Sequence, residues 1–249
     1  MRSIMTDRAW GNLDALAQNT YPGRGLAVGM DETEQFLVQA YWIMGRSPNS
    51  RNRVFKSDKD KPGRLFTEPA NPAKVQDASL IIYNAMMDDP KVGIFVVSNG
   101  HQTDSVFDGL MRRYSFKEAL TGQKYEPDAP NFTPRITAAS YLKNQLMTAE
   151  ISIIKKAPFD ETCQRHFFSY EHLEPGIGLC LHTYSGDGEP LPSFNGEPFA
   201  LPFEGDAEQI AETIWDDLDR DNRVSLAVKT IARSSGASRL HIINKYMQA

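Results

Sequence analysis

The chain has 249 residues, 41% of them hydrophobic, and a formal net charge of -5. This size allows a sizeable core in one large domain or two small ones, and the acidic balance disfavours a nucleic-acid-binding protein, which needs a broad basic face. With two cysteines, no apolar run of about 20 residues and no apolar segment near Met1, we expect a soluble cytoplasmic protein without a disulfide framework or membrane partner.

The first part of the chain is predicted to hold a short helix followed by a β-hairpin. Apolar residues recur at helical spacing over 7–18, and strand formers fill 25–30 and 36–44 around a polar turn. The glycines beside Arg24 superficially resemble a dinucleotide-binding loop. However, the third glycine comes one position late and no helix follows the strand, so a Rossmann site is disfavoured.

Residues 45–64 are predicted to form a polar loop with seven basic residues and two acidic ones. Such a run of charge is usually a solvated surface. The functional alternative is a phosphate site, because arginine matches phosphate oxygens in a bidentate geometry.

Two strands, 79–84 and 92–98, are predicted next, on either side of a turn at 87–91. The second strand stops at a polar corner, and Asp104 is predicted to N-cap a helix that runs to about residue 120. A proline-broken loop at 125–135 then leads to a hairpin of strands 136–142 and 146–155.

The second half of the chain carries strand character over 166–184, a glycine- and proline-rich connection at 186–205, an amphipathic helix at 207–218 and strands at 224–231 and 239–243. Many hairpins with few helices predict an α+β fold of packed antiparallel sheets. We expect a single domain over 1–249, in which residues 1–20 form an N-terminal extension.

Six short motifs, in this order, resemble the archaeal-type IMP cyclohydrolases and their bacterial relatives. They are YPGRGLAVG at 21–29, RSPNSR at 46–51, YN at 83–84, VVSNG to TD at 96–104, YE followed by Asp128 at 125–128, and TPRI at 133–136. Each motif alone is weak, whereas the ordered combination is specific. No motif of the family is found after residue 150.

The resemblance implies a four-layer α-β-β-α sandwich, in which two antiparallel sheets are flanked by helices. This architecture is similar to that of the N-terminal-nucleophile hydrolases, without their processed nucleophile. The implied activity is the dehydrative closure of 5-formamidoimidazole-4-carboxamide ribonucleotide (FAICAR) to inosine monophosphate (IMP) in purine biosynthesis. The implied partners are purine ribonucleotides (FAICAR, IMP and AICAR) and further copies of the chain, and neither a cofactor nor a metal is implied.

The resemblance also implies roles for individual residues. Tyr83 and Glu126 are the candidates for proton transfer, and Arg51 is the third candidate catalytic residue, stabilising an oxyanion. The candidates for substrate binding are Arg24, Ser47, Arg53, Asn84, Asn99, Asp104, Thr133 and Arg135. Among these, Arg24, Arg53 and Arg135 suit the ribotide phosphate, whereas Asn99 and Asp104 either bond the base or ribose or hold their turn.

Alternative functions come from other classes of protein. Zinc is one alternative, because five residues of the right type fall within twenty positions: Cys163, His166, His172, Cys180 and His182. Their spacing does not match a paired-ligand site. A calcium loop at 217–221 lacks both the required glycine and the final acid. A purine-nucleotide-binding protein without turnover and a related amide hydrolase also remain open, although the hydrolase needs a nucleophile that the sequence does not reveal.

Overall fold

A computed structural model of the chain describes residues 4–75 and 81–246. The described strands form two antiparallel sheets. Sheet A has the strand order β11 (Phe199–Pro202), β10 (Ile177–His182), β1 (Gly25–Met30), β2 (Phe36–Met44), β12 (Arg223–Ala232), β13 (Ser238–Asn244). Sheet B has the order β3 (Val54–Ser57), β4 (Leu65–Glu68), β5 (Asn84–Asp89), β6 (Ile94–Ser98), β7 (Arg135–Lys143), β8 (Leu146–Lys156), β9 (Cys163–Tyr170).

Five α-helices accompany the sheets in the described part of the chain: α1 (Ile4–Ala17), α2 (Pro48–Arg51), α3 (Gln102–Met111), α4 (Phe116–Ala119) and α5 (Ala207–Asp217). A 3-10 turn covers Pro72–Lys74. None of the described helices is both long and apolar enough to span a bilayer.

Strand alternation places the two sheets face to face. Leu26 and Tyr41 of sheet A share one buried cluster with Phe95 and Val97 of sheet B. The intervening residues point outward. On sheet A they pack against α1 and α5, and on sheet B against α3 and α4. The predicted α+β class with two antiparallel sheets is therefore confirmed, and helices cover both outer faces.

Hairpins with strong turn chemistry agree closely with their predictions. The strands β1 and β2 have the predicted bounds and pair with each other. The hairpin of β7 and β8 turns at Asn144 and Gln145, whose φ angles of 50° and 64° lie in the left-handed region. Such angles suit a tight hairpin turn.

Three predicted elements are wrong. The loop predicted at 45–64 contains α2 and β3, because the apolar pair Val54 and Phe55 is buried despite its basic surroundings. The strand predicted at 79–84 lies later, at β5, and the chain turns only at 90–93; residues 79 and 80 fall outside the described part. Asp88 is tolerated within β5 because the carboxylate of Asp88 faces the buried ammonium of Lys229, with an Nζ–Oδ2 distance of 3.3 Å.

The single helix predicted from Asp104 to about residue 120 is also wrong in two respects. The chain breaks at Arg113, where φ is 68°, and Ser115 then caps the separate helix α4 together with Glu118. Asp104 lies in the first turn of α3 instead of at its N-cap, which is His101.

Candidate active site

Strand ends from both sheets meet at one end of the sandwich. Arg24 precedes β1 and Thr183 follows β10, and the two are joined because Thr183 N donates to Arg24 O at 2.9 Å. In sheet B, Asn99 follows β6 and Arg135 begins β7, the strand that pairs with β6. The Nη1 atom of Arg24 donates to Asn99 O at 2.8 Å, which connects the strand ends of the two sheets.

A buried carboxylate lies between two guanidinium groups at this end. Glu126 Oε1 accepts hydrogen bonds from Arg24 Nη1 and Arg135 Nη1, each at 2.8 Å. The side chains of Glu126 and Arg24 are only 5% and 8% exposed. Both bonds use Oε1, and among the described residues Oε2 has no hydrogen-bond partner. That second oxygen is therefore available to a ligand.

Local contacts hold Glu126 and Arg135 in place. Glu126 N donates to Thr133 O at 2.9 Å across the proline-broken loop, and Thr133 N donates to Asp128 Oδ1 at 2.7 Å. The guanidinium of Arg135 lies over Gly100, where an added Cβ would come within 1.8 Å of Nη1. A larger residue at position 100 would therefore have to displace this guanidinium, although the backbone there needs no unusual φ.

The side chain of Asn99 bonds the protein through both its oxygen and its nitrogen. Its Oδ1 accepts from Ile136 N at 3.0 Å and from Gln102 Nε2 at 2.9 Å, and its Nδ2 donates to Pro134 O at 2.8 Å. These bonds hold the turn that follows β6 and favour the second of the two roles considered from the sequence. The turn presents the main-chain oxygen of Asn99 to Arg24.

Two tyrosines extend the cluster into the core between the sheets. The hydroxyl groups of Tyr41 and Tyr83 lie 2.7 Å apart. Both phenols act electrostatically on the guanidinium of Arg24, and Tyr83 acts on Arg135 as well. The structure therefore brings Tyr83 and Glu126, which are far apart in the chain, into one charged cluster.

The burial of this cluster shifts several of its pKa values. Burial acts to lower the pKa of Arg24, but the charge and hydrogen bond of Glu126 outweigh it and raise the pKa well above its ordinary value. Burial lowers the pKa of Arg135, and the neighbouring charge of Arg24 acts in the same direction. Burial raises the pKa of Asp128 against the hydrogen bonds that it accepts from Thr133. The two guanidinium groups of Arg24 and Arg135 carry two positive charges against the one negative charge of Glu126, so the cluster has a net positive charge.

A cavity of about 310 Å³ opens beside the cluster. Five residues predicted from the sequence line it: Arg24, Ser47, Arg53, Glu126 and Thr133. Arg53 is buried and points its Nε at Ser50 O, 2.9 Å away, while Arg46 lies over the ring of Tyr21 at 5.1 Å and pairs with Asp187. The lining thus carries three arginines against two carboxylates, Glu126 and Asp128, and suits an anionic ligand.

Comparison with protein families identifies the chain. A profile of the family described as IMP cyclohydrolase-like protein matches residues 21–235. The chain belongs to the IMP cyclohydrolase-like family. This confirms the resemblance read from the motifs, and the matched range contains the whole cluster and the cavity. A comparison with curated proteins finds no match.

Three residues predicted for the site lie elsewhere in this family member. Arg51 donates from Nε to Gly45 O at 2.8 Å and from Nη2 to Asn222 Oδ1 at 3.2 Å, and it lines a neighbouring cavity. Asn84 Nδ2 donates to Asp104 Oδ1 at 2.5 Å, and both residues face a third cavity. The structure thus places Arg51, Asn84 and Asp104 apart from the Glu126 cluster.

The family motifs contained further lining residues that were not singled out as site residues: Tyr21, Arg46, Asn49 and Asp128. Tyr184 and Leu191 carried no sequence signal, because they come from the second half of the chain. Tyr184 reaches the cavity because it follows β10, and its hydroxyl bonds Thr133 Oγ1.

The alternative metal sites do not assemble in the described residues. Cys163 and His166 lie on β9 of sheet B, whereas Cys180 and His182 lie on β10 of sheet A. Within 4–75 and 81–246, no three His, Cys, Asp or Glu residues form a group that could hold a metal ion. In the loop considered for calcium, Asp219 Oδ1 instead accepts main-chain hydrogen bonds at the end of α5.

Proposed function

We propose that this member of the IMP cyclohydrolase-like family catalyses the closure of FAICAR to IMP with loss of water, as a step of purine biosynthesis. The observation that carries the proposal is the position of Glu126. Its buried carboxylate lies at the wall of an arginine-lined cavity, in one charged cluster with Tyr83.

The reaction requires one nitrogen and one carbon of the same substrate to be held together. The cavity volume of about 310 Å³ is at the lower end of the range of ligand pockets, so it restricts the poses of a ribonucleotide. Arg46 and Arg53 are the lining residues that suit the phosphate, because both line the cavity and neither is bonded to Glu126, whereas Arg24 is. Fixing the phosphate and the ring orients the carboxamide nitrogen over the formyl carbon, which can lower the barrier by several kcal/mol.

The reaction has two halves, ring closure and loss of water, and each includes two proton transfers. As the carboxamide nitrogen bonds to the formyl carbon, Glu126 takes a proton from that nitrogen and Tyr83 gives its proton to the formyl oxygen. In the second half, the carbon–oxygen bond breaks. The departing hydroxyl takes the proton from Glu126 and leaves as water, and Tyr83 recovers a proton from the former formamido nitrogen. Both side chains return to their starting state, and no redox cofactor or metal is needed to balance the reaction.

The charges around the cavity support this assignment of roles. Arg24 and Arg135 lie beside both Glu126 and Tyr83, so negative charge on the phenol oxygen is held by nearby guanidinium groups. These arginines replace Arg51 as the proposed oxyanion-stabilising groups. We further propose that the chain acts as a single cytoplasmic domain within a homo-oligomer, with the architecture of the N-terminal-nucleophile hydrolases but without their processed nucleophile.

The proposal is tested by incubating the purified protein with FAICAR and following the absorbance of the purine product. Glu126→Gln and Tyr83→Phe are each expected to lower kcat by about 10²–10⁴-fold, as is typical for the loss of an acid or base. Glu150→Gln is the matched control, because Glu150 accepts a hydrogen bond from Tyr141 on sheet B and does not line the cavity. It is expected to retain wild-type kcat.

Three results would contradict the proposal. A flat trace from wild-type protein that binds IMP with a normal calorimetric signal would identify a nucleotide-binding protein without turnover. Full turnover in both Glu126→Gln and Tyr83→Phe would remove the two residues from proton transfer. Hydrolysis of FAICAR to AICAR without formation of IMP would instead indicate an amide hydrolase.

A further inference from the structure

We infer that Tyr41 is a positioning residue for this reaction: its buried hydroxyl donates a hydrogen bond to Tyr83 and so directs the proton of Tyr83 towards the substrate. The inference rests on the proposed function. Tyr41 lies outside the family motifs found in the sequence, and neither Tyr41 nor Tyr83 is among the residues that line the cavity. Tyr83 is the nearer of the two to the charged cluster, because it acts on both Arg24 and Arg135, whereas Tyr41 acts on Arg24. The effect of Tyr41 on the reaction must therefore pass through Tyr83.

The position of Tyr41 is tightly constrained by the core. The side chain is fully buried on β2 and faces the space between the sheets. Its ring packs against Phe55 with centroids 5.5 Å apart and planes at 45°. Among the described residues, the hydroxyl has Tyr83 as its hydrogen-bond partner, at 2.7 Å. A buried phenol needs such a partner, because an unsatisfied hydroxyl in an apolar core is costly.

The direction of this hydrogen bond decides what Tyr83 can do. Each phenol has one proton, so only one of the two hydroxyls donates to the other. If Tyr83 donated to Tyr41, its proton would point into the core and would be unavailable to the formyl oxygen. If Tyr41 donates, the proton of Tyr83 is free for the substrate.

The surroundings favour donation by Tyr41. The hydroxyl of Tyr41 is fully buried and has no acceptor for its proton other than Tyr83 among the described residues, whereas Tyr83 retains 5% exposure. Donation by Tyr41 therefore satisfies the proton that is harder to satisfy in any other way. Burial also raises the pKa of Tyr41, which keeps its phenol protonated. When Tyr83 transfers its proton to the formyl oxygen, the charge left on its own oxygen accepts the Tyr41 hydrogen bond. A hydrogen bond to a charged acceptor is stronger than one to a neutral group, so Tyr41 contributes most as the proton leaves.

The central test is the variant Tyr41→Phe, which removes one oxygen and preserves the packed ring. We expect kcat for FAICAR closure to fall about 10- to 100-fold, which corresponds to the loss of one hydrogen bond to a charged group. The value of KM and the calorimetric affinity for IMP are expected to change less than about twofold, because Tyr41 does not line the cavity. Tyr141→Phe is the matched control, since it removes a half-buried phenol oxygen that bonds Glu150 outside the site.

A double variant separates positioning from a general structural effect. In a Tyr83→Phe background, Tyr41→Phe is expected to cause no further loss of kcat, because the group on which it acts is absent. An equal loss in both backgrounds would overturn the inference, as would wild-type kcat in the single variant. If wild-type protein fails to close FAICAR at all, the proposed function and the inference fall together; if only Tyr41→Phe remains fully active, the inference alone falls.

A measurement on the wild-type protein covers the case in which Tyr41→Phe fails to fold. In protein labelled with 13C-tyrosine, NMR is expected to show a slowly exchanging hydroxyl proton with scalar coupling to the ring carbons of Tyr41. A shared proton coupled instead to the ring of Tyr83 would show the opposite direction of donation and would overturn the inference.

Discussion

The buried imidazole of His182 makes folding stability depend on pH. The ring lies edge-on to Phe194 and Phe199, with centroid distances of 4.6 and 5.5 Å, and its Nδ1 has no hydrogen-bond partner among the described residues. Burial lowers the pKa of His182 from 6.5 to about 4, against a smaller opposing effect from the main chain of Tyr184. The folded protein therefore holds this imidazole neutral in mildly acidic solution.

The sign and size of the effect follow from the two pKa values. The unfolded chain takes up the proton near pH 6.5 and the folded chain only near pH 4, so the unfolded state binds more protons between these values. The stability contributed by the neutral imidazole is complete above pH 6.5 and is lost as the pH falls towards 4. At about 1.4 kcal/mol per pKa unit, the loss amounts to about 3 kcal/mol.

The variant His182→Leu tests this prediction, because it removes the titrating group and keeps an apolar side chain. Urea unfolding between pH 7.5 and 4 is expected to show that wild-type stability falls by about 3 kcal/mol more than that of the variant. The exposed histidine is the control: His172→Gln is expected to follow the wild-type curve. If His182→Leu kept the full wild-type slope between pH 6.5 and 4, burial of this imidazole would not be its cause.

Two further predictions concern the contact between the sheets and the site. Asp88→Asn should lower the free energy of unfolding by about 3–5 kcal/mol, because it leaves the fully buried ammonium of Lys229 without its charged partner. Lys229→Met should lower it less, since no buried charge remains unpaired. Urea unfolding distinguishes the two variants, and equal losses would contradict the argument. Gly100→Ala places a methyl group 1.8 Å from Arg135 Nη1 and should reduce kcat/KM for FAICAR at least about 10-fold by displacing that guanidinium. The control Gly122→Ala, with no atom within 4 Å of the added methyl, should match wild type. Unchanged kinetics in Gly100→Ala would show that Arg135 moves without consequence.

Secondary structure was predictable where one local signal dominated. The runs of strand formers in β1 and β2, the polar turn between them and the turn at Asn144 are local signals, so these strands were placed almost to the residue. The strand β5 was displaced because Asp88 and Asp89 resemble turn residues, and only the distant Lys229 makes the first of them tolerable in a sheet. A partner so far along the chain leaves no local pattern.

The candidate site shows the same limit. The motifs identified Arg24 and Glu126, and the structure joins them directly. The same motifs also offered Arg51 and Asn84, whose side chains are taken up by Asn222 and Asp104. Residue type and spacing do not reveal which way a side chain points when its partner lies in another element of the fold.

The place of β1 between β2 and β10 has a consequence for biosynthesis on the ribosome. β2 emerges immediately after β1, but β10 belongs to the far half of the chain, and Arg24 gains its main-chain partner Thr183 only then. Pairings this distant close slowly, since a long loop must be ordered first. The nascent chain therefore exposes this edge of β1 until β10 has been synthesised.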